Sequence, residues 1–470
     1  MIRERNPLGG TEMAKKEAIQ FQTGKAERFS YGLYFFGQLI FYGIISQFLQ
    51  LFMTDSGIPA IVVSGIFIVA KVWDAINDPM FGVIVDKSQF KKGKYLPWIR
   101  LSTFLIPLTT LFIFVVPQSV SVTVKAIWIA VGYLLWDTSY TMCDVPIFAL
   151  ATSMTPEQKE RDWLYVFNRF FTFVGGIVAL LIIPQLYPRI GWPLTVVVVS
   201  VIAMAAMLPI GYLGKERVYT KTEKEPSIKE LLLYLKSNKY LLIFNGATII
   251  ASLTATGGAI SNYVAIHCLG SADWISITAL LMVLPMLITI IVVQAIIDKI
   301  DKLKIYIGSC IVSVILGIVM FFAGYENRIL FSVLVVVKTI FSSAAGVLGV
   351  MFTADCAEYG HYKTGNRAQG MAFSVQTFTA KITAAVSGAI GMAALAAVGF
   401  VEGEGAVQSA ATIQGLWTLY TLIPCIATVA AIVFLLVFYK LSSKDAEIMG
   451  KCNRGEISRE EAESLLGRRY

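Results

Sequence analysis

DWISITALLMVLPMLITIIVVQAII, residues 273–297, carries one charge, Asp273, at its very start and none after it. A helix of this length reaches ~37 Å, and the hydrocarbon core of a bilayer is ~30 Å thick. The stretch therefore reads as a membrane-crossing helix. Working outward in both directions, comparable runs occur at 29–53, 60–85, 97–117, 123–150, 163–187, 191–213, 240–267, 304–324, 329–353, 370–400 and 412–440. The predicted fold class is an all-α membrane protein of twelve transmembrane helices. Composition agrees: 56% of the 470 residues are hydrophobic, 15% are charged, and mean hydropathy is +0.69, whereas soluble chains are about 25% charged. Residues 1–28 are polar and lack the apolar segment of a cleavable signal.

Loop charges alternate. One set of loops holds Lys87, Lys91, Lys92 and Lys94; Lys159 and Arg161; seven basic residues between Lys215 and Lys239; Lys299, Lys302 and Lys304; and Lys363 and Arg367. The other set holds Lys125, Arg189 and Arg328. Lys and Arg accumulate on the cytoplasmic side, so both termini are expected there, in the cell inner membrane. The formal charge of +8 then reflects topology, and no nucleic-acid partner is expected.

The longest internal loop divides the chain. The expected organisation is a cytoplasmic tail (1–28), a six-helix half (29–213), a cytoplasmic central loop (214–239), a second six-helix half (240–440) and a cytoplasmic tail (441–470). Ser227 to Glu230 and Ser458 to Glu461 each have the spacing of a capping box. Asp86-Lys87 and Asp298-Lys299 follow corresponding spans, a weak internal repeat. The cysteines Cys143, Cys268, Cys310, Cys356, Cys425 and Cys452 are scattered, which points to free thiols.

Ionisable residues inside spans carry the functional reading, because each costs about 2.5–3.5 kcal/mol on insertion scales and must face a cavity or a partner. In the second span, Asp74, Asn77 and Asp78 share one helix face near Lys71. Two carboxylates and an amide oxygen suit a small hard cation, and close carboxylates without one tend to bind a proton. In the fourth span, Asp137, Tyr140, Thr141 and Asp144 recur on one face. Asp144 precedes Pro146, Thr141 offers another oxygen to the cation, and carboxylates accept sugar hydroxyls. Asp137 alone reads more readily as a rim residue. Arg169 and Lys381 lie inside the fifth and eleventh spans, with Asp144 the expected anion for both. Ala384, Ala385, Ser387, Gly388, Ala389 and Gly391 suggest close helix packing. Trp73 and Trp136 read as packing residues, and neither His267 nor His361 belongs to a visible proton relay. No P-loop, G-x-S-x-G or H-E-x-x-H motif occurs. The expectation is a transporter without catalytic residues or a cofactor, driven by an ion gradient.

Several stretches resemble the glycoside–pentoside–hexuronide:cation symporters, the family of the melibiose and glucuronide permeases in the major facilitator superfamily. They are Trp73-Asp-Ala-Ile-Asn-Asp-Pro79 with Gly82, Asp86 and Pro97-Trp98; Tyr140-Thr-Met-Cys-Asp-Val-Pro146 with Glu160-Arg161 and Arg169; and Ala354-Asp-Cys-Ala-Glu-Tyr-Gly360 with Ser374-Val-Gln-Thr377 and Lys381. The resemblance implies the two-half major facilitator fold, alternating access, a monomeric functional unit and a small-molecule glycoside substrate. It also implies a monovalent cation (Na⁺ or H⁺) at Asp74, Asn77, Asp78 and Thr141, with Asp74 and Asp78 as the acids for Na⁺. Sugar would be held by Asp144, Arg169, Lys381, Phe148 and Tyr140. This chain departs from the melibiose permease pattern at Gln38 and Leu39, where an acid is expected, at Phe148 in place of Trp, and at Gly346 in place of Trp. A cavity with fewer acids that keeps Arg169 and Lys381 favours an anionic glycoside over melibiose. The alternative is an exporter or antiporter of a non-sugar metabolite or drug.

Overall fold

The structure is a computed structural model that describes residues 21–88, 90, 93–218, 228–297, 299–365 and 369–467. Regular structure among them is helical: α1 (Lys25–Asp55), α2 (Ala60–Lys87), α3 (Leu96–Phe114), α4 (Val122–Met154), α5 (Gln158–Leu213), α6 (Ile228–Ser237), α7 (Lys239–His267), α8 (Asp273–Ile296), α9 (Lys302–Ala323), α10 (Arg328–Thr364), α11 (Gln369–Ala397), α12 (Ala410–Phe438), α13 (Ser443–Asn453) and α14 (Arg459–Leu466). Residues 1–20, Lys91, Lys92, the central-loop residues 219–227 with Ser227, Asp298 and Arg367 lie outside the described residues.

Ten of these helices are long and apolar enough to cross a membrane: α1, α2, α3, α5 and α7 to α12. Helix α4, 33 residues long, falls short in apolarity because Asp137, Thr138, Ser139, Thr141 and Asp144 interrupt it. Helix α5 runs for 56 residues and breaks at Gly191, φ 76° and ψ 163°. Glycine tolerates that backbone, and Pro193 follows it. Two spans were expected here, meeting near 187–191. The chain instead turns through one residue without a loop.

Polar caps set several helix starts. Asn238, Asn327 and Ser409 each accept the N–H three residues on, from Leu241, Leu330 and Thr412, at 3.1 Å. Ser458 caps α14 as its spacing predicts, accepting from the Glu461 N–H at 3.1 Å. Helix α10 continues past the predicted end at 353 because its extra turns find partners. Asp355 pairs with Lys302 at 2.5 Å, and Glu358 accepts from Asn453 at 2.7 Å. At the same end of the molecule Glu216 accepts the N–H groups of Lys94, Tyr95 and Leu96 at 2.7–2.9 Å. Glu27 there pairs with Arg217 at 2.8 Å.

Small residues let the helices approach. A Cβ on Gly37 of α1 would collide with the Ala203 carbonyl of α5, and one on Gly175 of α5 would collide with the Phe36 carbonyl of α1. The expected packing role of the α11 small residues holds where Ser64 of α2 donates to the Ala389 carbonyl at 2.8 Å.

At the opposite end, early and late helices join. Thr54 and Tyr263 hydroxyls lie 3.0 Å apart. The Gly403 and Glu404 N–H groups donate to the Thr54 and Asp55 carbonyls at 2.9 and 3.0 Å, and the Ala60 N–H donates to Glu402 at 2.8 Å. One apolar cluster there unites Phe52, Phe114 and Trp192 with Tyr263, Phe331 and Trp417. A second cluster draws only on residues from Tyr234 onward, among them Phe352, Tyr359 and Tyr439.

Candidate functional site

The residues singled out on α2 and α4 face one another. Asn77 is buried, and its amide donates to the Thr141 hydroxyl at 2.8 Å. Thr141 Oγ in turn lies 3.0 Å from Asp78 Oδ1 and 3.1 Å from the Asp137 carbonyl. Trp73 Nε1 donates to the Thr138 hydroxyl at 3.0 Å, fixing the two helices in register. Lys71 Nζ lies 3.4 Å from Asp74 one turn along. Period 3.6 puts these groups on single faces, and the α2–α4 contact turns two faces into one site.

Lys381 of α11 closes the site from across the molecule by pairing with Asp78 Oδ2. Its ammonium is also within electrostatic reach of Asp74 and Asp144. One cation thus serves three carboxylates. Its side chain keeps 52% of its exposure and that of Asp78 keeps 28%, so water and small solutes reach this pair.

Two buried oxygens near Asp78 have no hydrogen-bond partner among the described residues: Asn77 Oδ1 and Asp137 Oδ2. A buried acceptor left unpaired costs about 1–3 kcal/mol. Asn77 Oδ1, the Asp74 and Asp78 carboxylates and Thr141 Oγ therefore form a donor set whose chemistry fits a small hard cation. No group of three or more His, Cys, Asp or Glu side chains among the described residues is arranged to hold a metal ion. The donor set is accordingly two acids plus neutral oxygens.

Asp144 is not salt-bridged in the expected way. Gln38 of α1 donates its amide to Asp144 Oδ1 at 2.9 Å, while Lys381 is bonded to Asp78. Arg169 is exposed and pairs with no carboxylate among the described residues. The expected Asp144 pairing of both cations is corrected on this point: an amide bonds one oxygen of the carboxylate, and neither cation forms a salt bridge with it among the described residues. Asp137 is corrected too, since it is buried midway along α4 and not at a rim. Gln38 was read from sequence only as a lost acid. The signal for its role was present, because an amide inside an apolar span requires a partner.

Aromatic groups flank Asp144. Tyr140 stacks on Trp136 with centroids 4.9 Å apart and meets Tyr42 at 5.8 Å. Phe148 leans on Phe35 at 5.1 Å and remains 43% exposed. A sugar ring offers C–H faces to such a wall and hydroxyls to a carboxylate. A cation pocket beside a carboxylate with an aromatic wall suits coupled movement of an ion and a polyol.

Residues 30–443 match the family described as MFS/sugar transport protein. The chain belongs to that family. It is a multi-pass membrane transporter, not an enzyme, and its resemblance to the glycoside–pentoside–hexuronide symporters is borne out. The chain is 26% identical over 453 residues to an uncharacterized symporter, YjmB, of Bacillus subtilis (strain 168), covering 92% of this chain and 97% of that one. It is 27% identical over 441 residues to an isoprimeverose transporter of Lactiplantibacillus pentosus, covering 90% of each. Among solved structures, the nucleoside transporter NupG matches with a TM-score of 0.65 at 12% identity, over 88% of this chain and 99% of that one. That likeness concerns the fold alone.

Proposed function

We propose that this transporter carries a glycoside into the cell by cation-coupled symport with alternating access. The carrying observation is Asp78, whose two oxygens are held separately, one by the Thr141 hydroxyl and the other by the Lys381 ammonium. A Na⁺ ion or proton on the Asp74–Asp78 pair competes with Lys381 for Asp78. Lys381 is then free to turn toward Asp144, within its electrostatic reach, and to bond a substrate oxygen there. Asp144, Tyr140 and Phe148 hold the sugar, and Arg169, without an acidic partner, is available to an acidic or hydroxyl substituent. Cation and sugar affinities rise together, and linkage makes that coupling reciprocal.

Twelve crossings follow if α5 counts twice across Gly191 and α4 is admitted. Its polar face lies inside the bundle. Two six-helix halves then meet along α2 and α11, with both termini in the cytoplasm of the inner membrane. In this reading, the contacts of Thr54, Asp55 and Ala60 with Tyr263, Glu402, Gly403 and Glu404 seal the outer side. The second, separate apolar cluster supports a cytoplasmic side where the halves part.

The test is uptake of radiolabelled β-glucuronides, xylosides and galactosides in membrane vesicles, with and without inward Na⁺ and H⁺ gradients, beside Asp78→Ala. Accumulation of one glycoside under one gradient, lost in the variant, is the expected result. Gradient-driven efflux, or no glycoside movement by folded protein, would reject the symport reading in favour of a non-sugar exporter.

A further inference from the structure

Lys338 belongs to none of the groups above. It lies ten residues into α10 from Arg328, ~15 Å along the axis and near mid-depth of a ~30 Å hydrocarbon core. That is too deep for the side chain to reach either interface by snorkelling. Its ammonium makes no ion pair and no hydrogen bond among the described residues. Asp74, Asp78 and Asp144 stand on α2 and α4, and no carboxylate is among the described residues that border the space Lys338 faces.

That space is a partly open cavity of 240 Å³ lined by α7, α8, α9, α10 and α12. Thr254, Tyr306, Ser313, Ser342 and Tyr420 line it beside Lys338. The hydroxyls of Thr254, Ser313 and Tyr420 bond no other described residue. A Cβ on Gly317 of α9 would collide with Cys425 Sγ, which also borders the cavity, and would only reach ordinary contact distance, 3.8 Å, from Lys338 Cε. The cavity is smaller than the ~300–1,000 Å³ of a typical ligand site, which suits one substituent or one small ion. A cation at bilayer depth costs about 2.5–3.5 kcal/mol on insertion scales. An anion bonded to it, with hydroxyls on its remaining oxygens, offsets that cost.

We propose that Lys338 and the hydroxyls around it form a second binding site, in the later half of the chain, for an oxyanion group such as a carboxylate. The group can arrive as the acidic substituent of a transported sugar or as a free oxyanion. The first source rests on the symport reading and the second does not.

Binding isotherms on the purified full-length protein distinguish these sources. The probes are p-nitrophenyl β-glucuronide, its neutral β-glucoside counterpart, acetate and sulfate, each with wild type, Lys338→Met, Lys338→Arg and Asp144→Asn. If the substituent is the ligand, Lys338→Met weakens glucuronide binding about tenfold or more, the loss of a charge-assisted hydrogen bond. The glucoside is then unaffected, and Lys338→Arg keeps most of the affinity. If a free oxyanion is the ligand, acetate or sulfate binds wild type and Asp144→Asn but not Lys338→Met. Failure of both sugars alone would count against the symport reading while leaving this arm to decide. Equal binding of every probe by wild type and Lys338→Met would overturn the site. Should Lys338→Met not fold, Lys338→Gln and Tyr420→Phe replace it, and unchanged oxyanion binding in both would overturn it equally.

Discussion

Asp78 is bonded on both sides, by a neutral hydroxyl from α4 and by an ammonium from α11. Asp78→Asn keeps the shape but removes the charge that holds Lys381 and that binds the cation in the proposed symport. Accumulation in vesicles is expected to fall at least about tenfold, as for one charge-assisted bond lost, while facilitated exchange at equal sugar concentrations survives better. Gln38→Leu leaves Asp144 without its amide donor. Apparent sugar affinity should weaken by about tenfold, the ~1–3 kcal/mol scale of an unsatisfied buried acceptor, and unchanged affinity would remove Gln38 from the site. Much at this scale was legible in the sequence: Asp74, Asn77, Asp78, Thr141 and Asp144 stand at helical spacing, and period alone aligned them. That Lys381 pairs with Asp78, and that Arg169 pairs with no carboxylate among the described residues, was not legible. Spacing orders groups along one helix but says nothing about which residue across the bundle they meet.

At the scale of elements, α1 and α5 approach through glycine. Gly175→Leu would drive a side chain into the α1 backbone at Phe36. Overpacking costs typically about 1–3 kcal/mol, so a lowered melting temperature in detergent is expected, with Gly176→Leu as control, since nothing lies within 4 Å of a Cβ there. The spans themselves were readable from runs of apolar residues. Their ends were less so. Helix α10 outruns its apolar stretch because Lys302 and Asn453 satisfy Asp355 and Glu358, an arrangement no local window contains. At Gly191 composition marked a boundary, while the backbone decided that it is a one-residue turn.

For the whole molecule, the proposed alternating access makes the contact of Thr54 with Tyr263 part of the seal at the outer end. Tyr263→Phe removes one hydroxyl partner of Thr54. A net hydrogen bond contributes about 0.5–1.5 kcal/mol, enough to move a two-state population by up to about tenfold. A thiol introduced at Gly388, beside Gln50, should then label faster from outside in vesicles of known orientation. Equal labelling in both backgrounds would mean that this bond does not hold the end shut.

By itself, the sequence determined that the chain is a bundle of membrane helices and which faces of α2 and α4 are polar. Hydrophobic length and helical period are local properties, set by residues a few positions apart. Only the tertiary structure decided that Lys381 pairs with Asp78, that Gln38 takes Asp144, that Thr54 meets Tyr263, and that Lys338 borders a cavity with no carboxylate among its described lining residues. The three pairings join residues 106 to 303 positions apart, the cavity joins separate helices, and helix packing selects among many partners that local pattern leaves equal.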